Sequence, residues 1–128
     1  LSYGKSSENI SLTLNIDSIE VLIDTTIPCG LVLNELLTNV MKYAFPENRQ
    51  GNINIRMSRK KSGNLKLVFE DNGVGVSPEF DFRKQDTLGL KTIIGLVEHQ
   101  MQGTVKFETD QGVRCTIEFV DTLYTERV

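Results

Sequence analysis

Two stretches of apolar–polar alternation, each turned back on a partner by a short polar loop, constrain this chain more than any other feature. Asn52–Ser58 (NINIRMS) alternates, Lys60-Lys61-Ser62-Gly63 makes a turn, and Leu65–Glu70 (LKLVFE) returns as a mostly buried strand. Thr104–Thr109 and Val113–Val120 repeat the device around Asp110-Gln111-Gly112, with Val113, Cys115, Ile117 and Phe119 on one face of the last strand. Alternation puts apolar side chains on one side of each hairpin, so a second layer must cover that side. Two segments of helical period supply it. The first runs to about Ala44, with Thr25 and Thr26 as caps, Pro28 in its first turn and Phe45-Pro46 as its stop. The second covers roughly Leu88–Met101, with Leu90, Ile93, Ile94, Val97 and Met101 at helical spacing and Gly103 as its stop. Near the start, Ile10–Ile16 (ISLTLNI) reads as a half-buried strand, and Ile19–Ile23 as its hairpin partner across Asp17-Ser18.

Helices here interrupt hairpins rather than alternate singly with strands. The pattern predicts an α+β fold, a two-layer sandwich with helices on one face of a mixed, mostly antiparallel sheet and solvent on the other. A chain of 128 residues is expected to make one domain, 1–128, with its core at about 10–120. The net charge of −3 argues against a nucleic-acid face. No apolar run is long enough to span a membrane, and the first residues lack the pattern of a signal peptide. Cys29 and Cys115 have no metal-type spacing, and the chain has a single histidine, so a zinc site is short of ligands. Both cysteines fall on apolar faces and read as buried free thiols of a cytoplasmic protein. Leu1 is not an initiator methionine, and the chain reads as a piece of something longer.

The first helix sorts into two arcs. Val32, Leu33, Leu36, Leu37, Val40, Met41, Tyr43 and Ala44 share one, while Asn34, Glu35, Thr38, Asn39 and Lys42 share the other. A solvated face accounts for this. Asn and Thr are nevertheless mediocre helix formers for such a face. Glu35, Asn39 and Lys42 stand in line, an acid, a carboxamide and an ammonium suited to act as base, Mg²⁺ ligand and phosphate clamp. The Glu70-Asp71-Asn72-Gly73-Val74-Gly75 segment has the chemistry of a surface turn. Alternatively, Asp71 ends a buried strand, needs a donor to accept from, and is followed by glycines that let backbone approach a flat ring. Beyond a charged stretch from Glu79 to Asp86, Thr87-Leu88-Gly89-Leu90 opens the second helix, either as an ordinary loop or as an anion-binding helix start below a mobile lid.

Together these segments resemble the GHKL (Bergerat-fold) ATPase superfamily of gyrases, MutL-type repair proteins, heat-shock chaperone ATPases and histidine kinases. The likeness is greatest to the histidine kinase catalytic domain (HATPase_c) of the type associated with HisKA_2 dimerisation domains. Asn34–Pro46 resembles the N box, Asp71-Asn72-Gly73-Val74-Gly75 the G1 box and Leu88-Gly89-Leu90 the G2 box. The resemblance implies the Bergerat fold with a short ATP lid, and binding of ATP and Mg²⁺. It implies that Asn39 ligates Mg²⁺, that Lys42 and Tyr43 contact phosphates or ribose, and that Asp71 accepts from the adenine amino group. Gly73 and Gly75 would shape the adenine slot, and Leu88, Gly89 and Leu90 would face the phosphates. Glu35 stands where hydrolytic members keep a general base; in kinases it either orients metal-bound water or helps deprotonate the attacking imidazole.

Two positions depart from the family. Val113 follows Gly112 where many relatives have threonine, and no phenylalanine box is assigned in the lid, although Phe80 and Phe82 lie there. The implied partners are a histidine-bearing dimerisation domain of the same protein, expected upstream of Leu1, and a response regulator, with no nucleic acid and no membrane contact. His99, the single histidine, reads as a helix-end residue and not as the phosphoacceptor. An anti-sigma-type serine kinase, a gyrase- or MutL-type ATPase and a non-catalytic regulatory domain are the other readings.

Overall fold

The computed structural model describes residues 9–17, 19–21, 23–84 and 89–120. In chain order they form β1 (Ile10–Ile16), α1 (Ile23–Asn39), β2 (Gly51–Arg59), β3 (Leu65–Asp71), α2 (Leu90–Gly95), β4 (Thr104–Thr109) and β5 (Val113–Phe119). Each helix runs on into a widened π-helical turn, Val40–Ala44 after α1 and Leu96–Gln100 after α2. The strands make one sheet in the order β1-β2-β3-β5-β4, with β1 parallel to β2 and every other pair antiparallel.

Register explains the two layers. Leu14, Ile55, Phe69, Cys115 and Phe107 stand in one row across all five strands. Ile55, Phe69 and Cys115 of that row are buried together with Val32, Leu36 and Val40 of the first helix and Leu90, Ile93 and Val97 of the second. The adjacent row, Asn54, Glu70, Arg114 and Glu108, points the other way and is polar. Glu70 there pairs with Arg114 at 2.9 Å and with Arg56 at 3.4 Å. The α+β sandwich expected from the sequence is therefore the one observed, and both hairpins pair as expected. No helix among the described residues is long and apolar enough to cross a membrane.

Several local expectations are corrected. The expected strand Ile19–Ile23 is not observed at its described residues: Ile19, Glu20 and Val21 are irregular, Leu22 lies outside the described residues and Ile23 already belongs to α1, while the partner of β1 is β2, with α1 as the crossover that a parallel pair requires. Asp17 and Ser18 lack the glycine that a tight hairpin favours. Instead the Asp17 N–H extends the ladder to the Met57 carbonyl at 3.1 Å, and Arg59 donates to the Glu20 carbonyl at 3.3 Å. Pro28 lies more than a turn inside α1, where it cannot donate to the Asp24 carbonyl, and Thr25 and Thr26 lie within the helix rather than capping it. β1 is less buried than its alternation suggests, with Leu12, Leu14 and Ile16 exposed by 51%, 59% and 52%, because the helices cover the sheet centre and not this edge. At the end of α2 it is Gln102, at φ 51°, that takes the left-handed position. Gly103 is small for a different reason, since a Cβ there would stand 2.2 Å from the Glu118 carbonyl oxygen. The first helix does stop at Phe45, whose ring is fully buried and whose space forbids any side chain on Gly51.

Candidate functional site

Of the residues singled out in the sequence, Asn39, Tyr43, Asp71, Gly75 and Leu90 line one cavity, where the end of α1 meets the end of β3. Asn39 is the last residue of regular helix, and the π turn that follows carries Tyr43 and Ala44 forward. Such one-turn widenings recur at functional sites because they re-aim the side chains beside them. The loop after β3 is tied to this turn, with the Val74 N–H donating to the Ala44 carbonyl at 2.9 Å. Gly73 passes so close that a Cβ would lie 2.4 Å from that same oxygen. Gly73 is thus required by packing.

Asp71 lies at the end of β3 on the helix-facing side. Its Oδ1 accepts from the Gly73 N–H at 2.8 Å, an Asx-type turn, and its carboxylate also accepts from the Val113 N–H. The turn chemistry read in the sequence is therefore real, and it positions the carboxylate as well. Burial pushes the Asp71 carboxyl above its ordinary value, against the opposing pull of the two N–H groups and the Arg49 charge. A carboxylate held in this way retains lone pairs for a further donor.

That donor would come from a cavity of about 90 Å³ that Asp71 lines with Asn39, Tyr43, Gly75 and Leu90. Its floor is apolar, formed by Leu36, Val40, Phe69 and Cys115, and burial raises the Cys115 thiol to about 12, which leaves it an inert wall. Val113, the residue that departs from the family pattern, also lines the cavity. Phe80 and Phe82 complete the lining. The Phe82 ring stacks on Phe107 with centroids 4.5 Å apart, and Phe80 meets Phe82 edge-on at 4.9 Å. Arg83, beside them, is paired with Glu98 behind α2. The first part of the expected lid is accordingly packed and aromatic, where the sequence read as a charged stretch.

Of the remaining candidates, Glu35 and Gly89 are neighbours, since a Cβ on Gly89 would stand 2.1 Å from Glu35 Oε2. Gly89 is left-handed, at φ 63°, and its carbonyl accepts the first helical bond of α2, from Ile93. Lys42 is exposed and outside the cavity wall. Leu88 lies outside the described residues. Phe107, Val113 and Cys115 were legible only as one face of a hairpin; nothing local in the sequence says that this face ends in a cavity. A wider groove of about 410 Å³ on the open sheet face is polar, floored by Asn52, Asn54, Glu70 and Arg114, and lacks the apolar walls that hold a ring.

Residues 25–123 match the sequence profile of the family described as histidine kinase-, DNA gyrase B- and HSP90-like ATPases (HATPase_c). Blue-light-activated histidine kinase 2 of Erythrobacter litoralis is 28% identical over 89 residues, covering 70% of this chain and 26% of that protein. Sensor histidine kinase PdtaS of Mycobacterium tuberculosis is 33% identical over 76 residues, covering 59% of this chain and 15% of its own length. The chain thus spans a small part of the curated relatives it matches. The structure of the Erythrobacter litoralis EL346 blue-light activated histidine kinase superposes with a TM-score of 0.82 at 23% identity, over 92% of this chain and 37% of that one. The profile spans most of the chain, and the chain belongs to the histidine kinase-, DNA gyrase B- and HSP90-like ATPase family.

Proposed function

We propose that the cavity takes the adenine of ATP against Asp71, with the phosphates toward Asn39, Lys42 and the Gly89 end of α2, and that the chain serves a longer protein as its phosphate donor. The observation that carries this is a half-buried carboxylate facing an apolar slot, with unspent acceptor capacity and a polar helix edge at the same cavity. An exocyclic amino group is the donor that such a slot selects.

The residues present fit Mg²⁺ in the way nucleotides bring it. Among the described residues no three His, Cys, Asp or Glu side chains converge as a self-sufficient metal site. Asn39 lies in the cavity wall with Glu35 one turn before it. One or two protein oxygens, completed by phosphate oxygens and water, suit this ion. Mg²⁺ held by the Asn39 carboxamide oxygen would neutralise charge on the phosphates during transfer. The helix start at Gly89 and Leu90 would position the phosphates, and Glu35, lying against Gly89, would orient the attacking group.

The acceptor is a histidine of a separate dimerisation domain in the same protein, expected before residue 1, with the phosphate then passing to a response regulator. His99 sits on the π turn after α2, outside the cavity wall, and is not the acceptor. The test is labelling from γ-labelled ATP of the protein that carries both this domain and its helical hairpin. Acid-labile label that disappears when the hairpin histidine is replaced supports the proposal. Acid-stable label would instead assign a serine kinase, and bound ATP without any transfer a regulatory domain.

A further inference from the structure

Opposite Val113 across the last hairpin stands Thr109, and its hydroxyl sits at a junction of the site. The single hydroxyl hydrogen has the Gly112 carbonyl within reach at 3.0 Å and the Val76 carbonyl at 3.3 Å, while the Val76 N–H points back at Oγ1 at 3.4 Å. Gly75, which lines the cavity, packs directly on this group, since a Cβ there would lie 3.1 Å from Oγ1. Gly112 in turn packs on Asp71: a Cβ on Gly112 would stand 2.1 Å from the Asp71 carbonyl oxygen and 2.9 Å from Oδ1. A continuous set of contacts therefore runs from the glycine loop through Thr109 and Gly112 to the carboxylate.

The two walls that Thr109 joins are far apart in sequence. The Gly73–Val76 loop holds Asp71 from one side through the Gly73 N–H, and the Gly112–Val113 turn holds it from the other through the Val113 N–H. The two loops approach each other at Gly75 and Gly112, which both have positive φ, at 69° and 105°, and carry no side chain at the point of approach. Thr109 is half-buried and supplies the one side-chain hydroxyl between them among the described residues.

We propose that Thr109 is a positioning residue for nucleotide recognition, a hydroxyl clamp that fixes the spacing of the two loops and so aims the Asp71 carboxylate at the base. The proposal rests on the reading of this cavity as the adenine site. It assigns Thr109 no contact with the nucleotide.

The experiment is a calorimetric titration of the chain with Mg-ATP and Mg-GTP, for the wild type, Thr109→Val and Thr109→Ser, alongside thermal unfolding of each. Valine keeps the shape and leaves the Gly112 carbonyl and Val76 N–H without this partner. ATP affinity should fall by about ten-fold, the effect of one or two buried hydrogen bonds. Because the loss is one of aim, the ratio of ATP to GTP affinity should fall as well, and Thr109→Ser should restore both to within about two-fold. A purely structural role would lower the melting temperature without changing that ratio, and would overturn the proposal. So would wild-type affinity in Thr109→Val, or failure of serine to rescue. Should Thr109→Val not fold, Thr109→Ala and Thr109→Ser are compared by the same ratio, with the same outcomes expected. Absence of ATP binding by the folded wild type would remove the adenine reading itself, and the clamp with it, a result distinct from normal binding that is insensitive to Thr109.

Discussion

Asp71 is the residue on which recognition turns, and its environment makes a second property testable. Its folded carboxyl is raised from the ordinary value of 3.8, first by burial, so the fold favours the protonated form. The stability that this contributes is full below about pH 3.8 and is lost as pH rises through the higher folded value. At neutral pH the charge is retained at the expense of stability, as binding sites often require. Asp71→Asn carries no such charge. The difference in melting temperature, variant minus wild type, should therefore widen as pH is raised from below 3.8 toward neutrality. A difference that stays flat over this range would show that burial does not govern the group. At this scale much of the site was legible: an acid ending a buried strand and an asparagine on a helix edge are locally odd, and oddness points to use. Val113, Cys115 and Phe107 were not legible as cavity walls, because their sequence surroundings are those of ordinary strand residues.

Among the elements, the segment between β3 and α2 departs most from expectation. It read as a charged stretch forming a mobile lid, yet Phe82 stacks on Phe107 and Phe80 meets Phe82 edge-on. Charged neighbours hide this in the sequence, since two aromatics at i and i+2 match a strand's period over too short a stretch to mark an element. The cavity that they help to line, about 90 Å³, is well below the few hundred a small-molecule site occupies, so its walls must yield for a nucleotide to enter. Phe82→Ala should destabilise the fold by about 2 kcal/mol, roughly half the cost of deleting a fully buried phenylalanine, and tighten ATP binding by removing the cost of displacement. Denaturant unfolding and ATP titration of the variant check the two parts. Weaker ATP binding would show that the ring packs on the nucleotide rather than blocking it. The π turns after both helices also escaped sequence reading, because apolar spacing does not distinguish a widened last turn from a regular one.

For the whole molecule, the two-layer plan followed from period alone, since local alternation defines a hairpin and an apolar stripe defines its cover. The placement of β1 did not follow. Its register with β2 joins Ile10 to Gly51 across the whole of α1, and a pairing so distant leaves no mark on the residues between. The same plan gathers the site: α1, the β3 loop, the start of α2 and the β4–β5 turn each bring one part of it to a single cavity. The central claim is that this cavity is an adenine slot closed by Asp71, and the direct measurement is calorimetric titration of the 128-residue chain with ATP, with and without Mg²⁺, beside Asp71→Asn. The expected result is Mg²⁺-dependent binding by the wild type and a loss of about 30-fold or more in the variant, whose amide can present a donor where an acceptor is needed. Equal affinity in the two proteins, or no binding by a folded wild type, would contradict it.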